Sequence, residues 1–298
     1  MQLPTTDPKL DLESAYEACR TITRREAKNF YYAFLTLPAA KRRAIYAAYA
    51  FCRLCDDSVD EETSADGKLK ALSDLQANLD NTYSGSASSP VYVALADVAR
   101  NYKIPQAYFQ EIILGVESDL VKDHFQNFDE LKDYCYRVAS VVGLICLQIF
   151  GYKDDDAKEY AVDLGLAMQL TNIIRDVRED LDMGRVYLPQ DEMARFGYSE
   201  EDLKNGVRNE AFLELMRFQS QRARKYFDRG FKLLPYLSRR SRACPAVLGA
   251  LYSKVLDRIE ASDYDVLESR VSLSKAEKIG ITAKTWLGSM LPLPSSLR

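Results

Sequence analysis

Apolar residues recur at three- and four-residue intervals almost from end to end of this chain, and that period limits it to helices. Ile45, Ala48, Tyr49, Cys52 and Asp56 share one helical face; Leu166, Gln169, Asn172, Ile173, Asp176 and Asp180 share another. Alternating β-branched runs and hairpin dipeptides are scarce, so strands are not expected. Breaks fall at Leu37-Pro38, across Ser84 to Pro90, at Ile104-Pro105, near Gly151 and at Leu188-Pro189. Ser199 followed by Glu200, Glu201 and Asp202 reads as a helix start with acids in its first turn. These signals predict about ten helices with short connections. No internal repeat or long linker divides them, so residues 1–298 read as a single all-α domain.

Bulk properties exclude several classes of function. The 298 residues are 47% hydrophobic and 28% charged, enough apolar material for a sizeable core. A net charge of −4 does not favour a nucleic-acid partner. No unbroken apolar run approaches the roughly 18 residues of a membrane span. The polar N-terminus, MQLPTTDPKLDLE, does not look like a signal or transit peptide. A cytoplasmic protein is expected, with any membrane contact peripheral.

Six cysteines are scattered among apolar neighbours. Cys52 and Cys55 have C-x-x-C spacing, but no second pair or nearby histidine completes a zinc site, so they read as core or pocket thiols. The chain has one histidine, His124, which removes Ser-His-Asp triads and His-rich metal sites from consideration. Any chemistry must rest on carboxylates, tyrosines, arginines and a bound metal.

Two acidic clusters are the candidates. Asp56-Asp57-Ser58-Val59-Asp60 is followed by Glu61 and Glu62, and Asp176-Val177-Arg178-Glu179-Asp180 by Asp182. Helical spacing stacks Asp56 on Asp60 and Asp176 on Asp180, and like charges so placed repel by about 0.2–0.5 kcal/mol. One such cluster alone reads as a solvated helix face. Here both end faces that are otherwise apolar or neutral, and Gln169, Asn172 and Arg175 lie just upstream of the second. A divalent cation such as Mg²⁺, which takes carboxylate, phosphate and water oxygens, would offset the repulsion. Cationic and phenolic groups accompany both clusters: Tyr49 and Arg53 precede Asp57 at one-turn intervals, and Arg185 and Tyr187 follow in GRVYLP. Arginine suits diphosphate oxygens, and tyrosine donates a hydrogen bond at the edge of an apolar cavity. A third segment, Tyr134 to Gly143, has small residues at Ala139 and Gly143, a shallow stripe that suits either close helix packing or a ligand channel.

With these segments in hand, the chain resembles the squalene/phytoene synthase family along nearly its whole length. The resemblance is carried by NFYYAFLTLP, YAFCRLCDDSVDE, GVESDL, YCYRVASVVG, QLTNIIRDVREDLDMGRVYLP and LYSKVLDRIEASDYDVLESRVSLSK. It implies a helical bundle around a central cavity that joins two allylic diphosphates head to head. It further implies two or three Mg²⁺ ions held by Asp56, Asp60, Asn172, Asp176 and Asp180, with Gln169 assisting and Asp57 as a flanking acid. Tyr49, Arg53, Tyr134, Arg185, Tyr187, Tyr252 and Arg270 would contact diphosphates or reacting carbons, and Asp119 would lie near the reaction centre. Asn29, Phe30, Phe34, Tyr46, Val138, Ala139, Val142 and Gly143 would line the substrate pocket. One departure concerns Ala27-Lys28-Asn29-Phe30, where many members carry serines; Asn29 can still donate to phosphate, and Ala27 cannot.

Bulk at Phe30, Phe34 and Tyr46 favours fifteen-carbon over twenty-carbon tails. The expected reaction is therefore condensation of two farnesyl diphosphates to presqualene diphosphate, as in the hopanoid pathway. Phytoene synthesis from geranylgeranyl diphosphate is the alternative. NADPH would serve only onward reduction to squalene, and no Gly-rich dinucleotide turn is present. Downstream isoprenoid enzymes are conceivable partners. A head-to-tail elongase or terpene cyclase, with D-D-x-x-D helices, and a non-catalytic assembly protein on the same fold remain as other classes. The latter would be expected to have lost acids from one cluster, and both are intact.

Overall fold

The computed structural model describes residues 11–60, 62 and 64–291, without the side chains of Lys28, Asn29 and Asp60. Among the described residues there are fifteen α-helical segments and no strand. The long ones are α1 (Leu12–Glu26), α3 (Ala39–Asp60), α4 (Ala65–Ser84), α5 (Pro90–Tyr102), α6 (Gln106–Val121), α9 (Ala157–Arg175), α13 (Glu210–Gly230), α14 (Arg239–Ala261) and α15 (Lys275–Met290). The short ones are α2 (Lys28–Phe34), α7 (Phe128–Cys135), α8 (Val141–Phe150), α10 (Val177–Asp182), α11 (Gln190–Arg195) and α12 (Glu200–Lys204). Their ends follow local chemistry. Pro90 opens α5, where its missing N–H costs nothing, and Pro105 caps α6. Ser199 and Asp202 form the reciprocal capping box expected at α12. Gly151 ends α8 at a positive φ of 67°, a conformation glycine adopts without penalty.

Five residues, Tyr136–Ser140, form a π-helical turn that joins α7 to α8 without a break. The resulting run, Phe128–Phe150, is 23 residues long and holds an 18-residue window with a mean hydropathy of 1.3, so by length and composition alone it could cross a membrane, although charged residues interrupt it and no unbroken apolar run of that length is present. Half of that stretch is buried inside the bundle, where it forms one wall of the central cavity. Its fit against α9 is backbone-close. A Cβ on Gly165 would lie 2.7 Å from Ser140 Cα, and one on Gly143 would lie 2.8 Å from the Ala161 carbonyl oxygen. The small-residue stripe therefore serves packing and pocket together, since Val138, Ala139, Val142 and Gly143 all line the cavity.

Candidate active site

A cavity of about 300 Å³ runs between α2, α3, the π turn with α8, α9 and α14. Its walls are mostly apolar; Asp56, Gln169 and Asn172 bring polar groups to one end. On each helix the lining residues recede from that end: 56 to 45 on α3, 172 to 161 on α9, 252 to 244 on α14. At a rise of about 1.5 Å per residue, eleven residues make the pocket roughly 16 Å deep. Phe30 sits near the mouth, its ring 6.3 Å from Tyr49 and 6.0 Å from Tyr252. Phe34 lies below, 6.1 Å from Phe30.

The second acidic cluster is gathered around a helix break. α9 stops at Arg175, yet Asp180 N–H still donates to the Asp176 carbonyl at 2.8 Å, so the two acids keep the stacking predicted from spacing. Asp176 is gripped from two sides. Arg175 donates to its two oxygens at 2.8 and 2.5 Å, and Arg270 at 2.9 and 3.3 Å. Burial opposes ionisation of Asp176, but the two guanidiniums outweigh it and hold its carboxyl below the usual range. For Asp180 the balance is reversed: burial first, and then the charge on Asp176, outweigh the attraction of Arg185 and Arg175 and push its pKa up to about 7. Arg270 also lies 3.4 Å from Glu179.

Beyond the cluster the chain folds back through Arg185 and Tyr187. Val186 N–H donates to the Asp123 carbonyl at 2.8 Å, and residues 124 and 186 form an isolated parallel bridge. This places Tyr187 OH 3.2 Å from Asp119 Oδ1, with Tyr134 OH donating to Tyr187 OH at 3.3 Å. Phe125 packs on both tyrosines, with centroids at 5.2 and 5.7 Å. Burial raises the pKa of Tyr134, and pushes Tyr187 up to about 12. Burial also pushes Tyr49 up to about 12 and raises Tyr252. All four stay phenols at neutral pH and act as hydrogen-bond donors, not as anionic bases.

One expectation changes. Tyr46 does not line the cavity; its ring stacks on Tyr31 at 6.3 Å and meets Phe34 edge-on at 6.3 Å, so it backs Phe34 from behind. Asp57, expected as a flanking acid, is ion-paired with Arg53 one turn back on α3 and stands beside the cavity lining, not in it. Asn29 and Asp60 have side chains outside the described residues. Arg175, noticed in the sequence only as a flanking polar group, proves to be the principal partner of Asp176. The deep lining residues, including Ile45, Cys146, Phe150 and Cys244, carry no sequence signal that separates them from ordinary core.

Carboxylate and amide oxygens are the donors a hard divalent cation takes, although among the described residues no three His, Cys, Asp or Glu side chains are gathered into a metal-holding group. Asn172 Nδ2 donates to Gln169 Oε1 at 3.2 Å, while Asn172 Oδ1 is buried without a partner. An orphaned amide oxygen beside an under-compensated carboxylate is a site that gains from a cation. Asp176 could join only if Arg270, which is exposed, shared or released it.

Comparison with known proteins agrees with this geometry. The squalene/phytoene synthase family model matches residues 23–277. A phytoene synthase from Mycobacterium tuberculosis is 39% identical, covering 96% of this chain and 97% of its own. A 15-cis-phytoene synthase from Synechocystis is 37% identical, covering 95% of this chain and 88% of its own. Among solved structures, a dehydrosqualene synthase superposes with a TM-score of 0.86 at 30% identity, over 95% of this chain and 100% of its own. The squalene synthase HpnC from Alicyclobacillus acidocaldarius gives 0.81 at 28%, over 85% and 95%. The chain belongs to the squalene/phytoene synthase family of prenyltransferases.

Proposed function

We propose that this protein condenses two farnesyl diphosphates head to head to presqualene diphosphate. The observation that carries the reading is one apolar pocket, roughly 16 Å deep, with polar groups of both acidic helices at its mouth. Mg²⁺ held by Asp56, Asp60, Asn172, Asp176 and Asp180 would supply neutralisation of the leaving diphosphate. Arg53, Arg185 and Arg270 add fixed positive charge around that end. Tyr49 and Tyr252, neutral at the rim, orient diphosphate oxygens. The pocket excludes water while the allylic C–O bond ionises, and the aromatic faces of Phe30 and Phe34 stabilise the resulting cation. The C2=C3 bond of the second substrate attacks that cation, and proton loss closes the cyclopropane. The released diphosphate and the nearby tyrosines are the candidate bases, and burial of the tyrosine hydroxyls favours the diphosphate. Tyr134, Tyr187 and Asp119 form a linked set that orients groups at the second cluster.

Phe34, 4% exposed and backed by Tyr46, supports the fifteen-carbon substrate. The phytoene synthases among the relatives support the other reading, in which two geranylgeranyl diphosphates give phytoene. NADPH has no part in the first condensation. The test is incubation with Mg²⁺ and either diphosphate, with and without NADPH, followed by mass spectrometry. A thirty-carbon cyclopropyl diphosphate from the shorter substrate is expected. Phytoene from the longer substrate alone would overturn the chain-length reading, and no coupling of either would favour a non-catalytic assembly role.

A further inference from the structure

The floor of the pocket is fastened by a polar contact that plays no part in the chemistry at the mouth. Phe150 lines the cavity at the C-terminal end of α8, on the same side as Ile45 and Cys244, the innermost lining residues of α3 and α14. Its carbonyl is one of the terminal oxygens a helix leaves without an intrahelical donor. Lys41 Nζ reaches it at 2.5 Å from the first turn of α3, and Ser241 Oγ donates to it at 2.9 Å from the first turn of α14. Lys41 also donates to Ser241 Oγ at 2.9 Å, which closes a three-membered ring of contacts. Ser241 is 0% exposed and Phe150 4%. Immediately beyond, Gly151 turns the chain away at positive φ, and Lys153 N–H is held by the Tyr236 carbonyl at 3.1 Å. Three helix ends are thus tied at one carbonyl oxygen, that of the residue whose ring lines the floor.

We propose that Lys41 and Ser241 are positioning residues for chain-length selection: they fix the Phe150 backbone so that its ring sets how far a prenyl tail can enter. Burial lowers the pKa of Lys41, in keeping with an ammonium withdrawn from water for this contact. A cation at a helix C-terminus also meets the favourable end of the helix dipole. The wall is distinct from Phe34, which borders the pocket from α2 with Tyr46 behind it. The inference rests on the prenyl diphosphate reading above, because it needs a tail in this pocket.

The test measures binding separately from turnover. Calorimetry with Mg²⁺ and the unreactive thiolo-diphosphates of fifteen- and twenty-carbon prenols gives an affinity ratio for each protein, and parallel incubations with the reactive pair give coupling. F150A, K41M and S241A are expected to shift the ratio toward the longer chain by at least about five-fold, while K41R keeps the wild-type ratio. Thermal melts identify folded variants, and S241A, which deletes one oxygen, covers the case in which K41M does not fold. Ratios within about two-fold of wild type in all folded variants would overturn the proposal. So would a shift in F150A alone, because the ring would then keep its place without the contact. Wild-type protein that binds both analogues and couples neither substrate sinks the enzymatic reading and leaves the binding test of the floor intact.

Discussion

Asp180 and Asn172 face opposite problems with one remedy. The carboxylate is buried beside Asp176, whose charge adds to its desolvation, and the amide oxygen has no donor. A cation placed between them would relieve both, so Mg²⁺ is expected to raise the unfolding midpoint of the wild-type protein. Asp180→Asn removes the repulsion with Asp176 and should unfold later than wild type in chelator, yet gain little on adding Mg²⁺. Its coupling rate should fall on the order of 10²-fold or more, the kinetic equivalent of losing several kcal/mol of metal-centred stabilisation. Differential scanning fluorimetry and a product assay check the two halves, and an unchanged Mg²⁺ response in Asp180→Asn would remove that residue from the metal site. Arg175 shows why the sequence could not assign these roles in full. It reads as another flanking cation, and only the break at the end of α9 turns its guanidinium back onto its neighbour.

The segment after α6 and the segment before α11 are joined by the isolated bridge between residues 124 and 186, and His124 sits on it. Its Nδ1 lies 2.9 Å from Asp123 Oδ1 and its Nε2 lies 3.1 Å from Glu200 Oε2 at the start of α12. The contact with Asp123 first, opposed by burial and aided by Glu200, raises its pKa above 6.5. A folded-state value above the unfolded one means stability fully present below about pH 6.5 and lost as pH rises through the folded value. Thermal melts of wild type and His124→Gln should therefore differ most under mildly acidic conditions and converge above neutrality, by no more than a few degrees given the exposure of the pair. A difference independent of pH would remove the titration from the account. Element boundaries divide along similar lines. Pro90, Pro105, Gly151 and Ser199 announced their turns because each has a local backbone reason. The π turn at Tyr136–Ser140 and the break at Asp176 did not, since neither holds glycine or proline.

For the molecule as a whole, the acidic groups on α3 and those on α9 and α10 meet only across the mouth of the pocket. On the proposed function a diphosphate bridged by cations would span that gap, so Mg²⁺ and an unreactive prenyl diphosphate together should raise the unfolding midpoint by more than the sum of their separate effects. Simple additivity in the melt would mean that the two helices bind independently. The bundle and both clusters were legible from period and spacing, because eleven-residue stretches of one face are local information. Asp56-Asp57-Ser58-Val59-Asp60 itself satisfies D-D-x-x-D, so the first cluster alone did not separate head-to-head from head-to-tail chemistry; the second cluster with its GRVYLP tail did. Tyr46 was misplaced because its period matches the lining residues, while its direction is decided by Tyr31 on another helix.

The backbone-close seam at Gly143 and Gly165 leaves α8 and α9 no slack to slide or separate. A lineage descending from this protein cannot remodel its pocket by easing those helices apart without first disrupting the seam. Its accessible steps are trims and fillings of single side chains, so divergence in product should leave the scaffold nearly superposable and be written in a few positions.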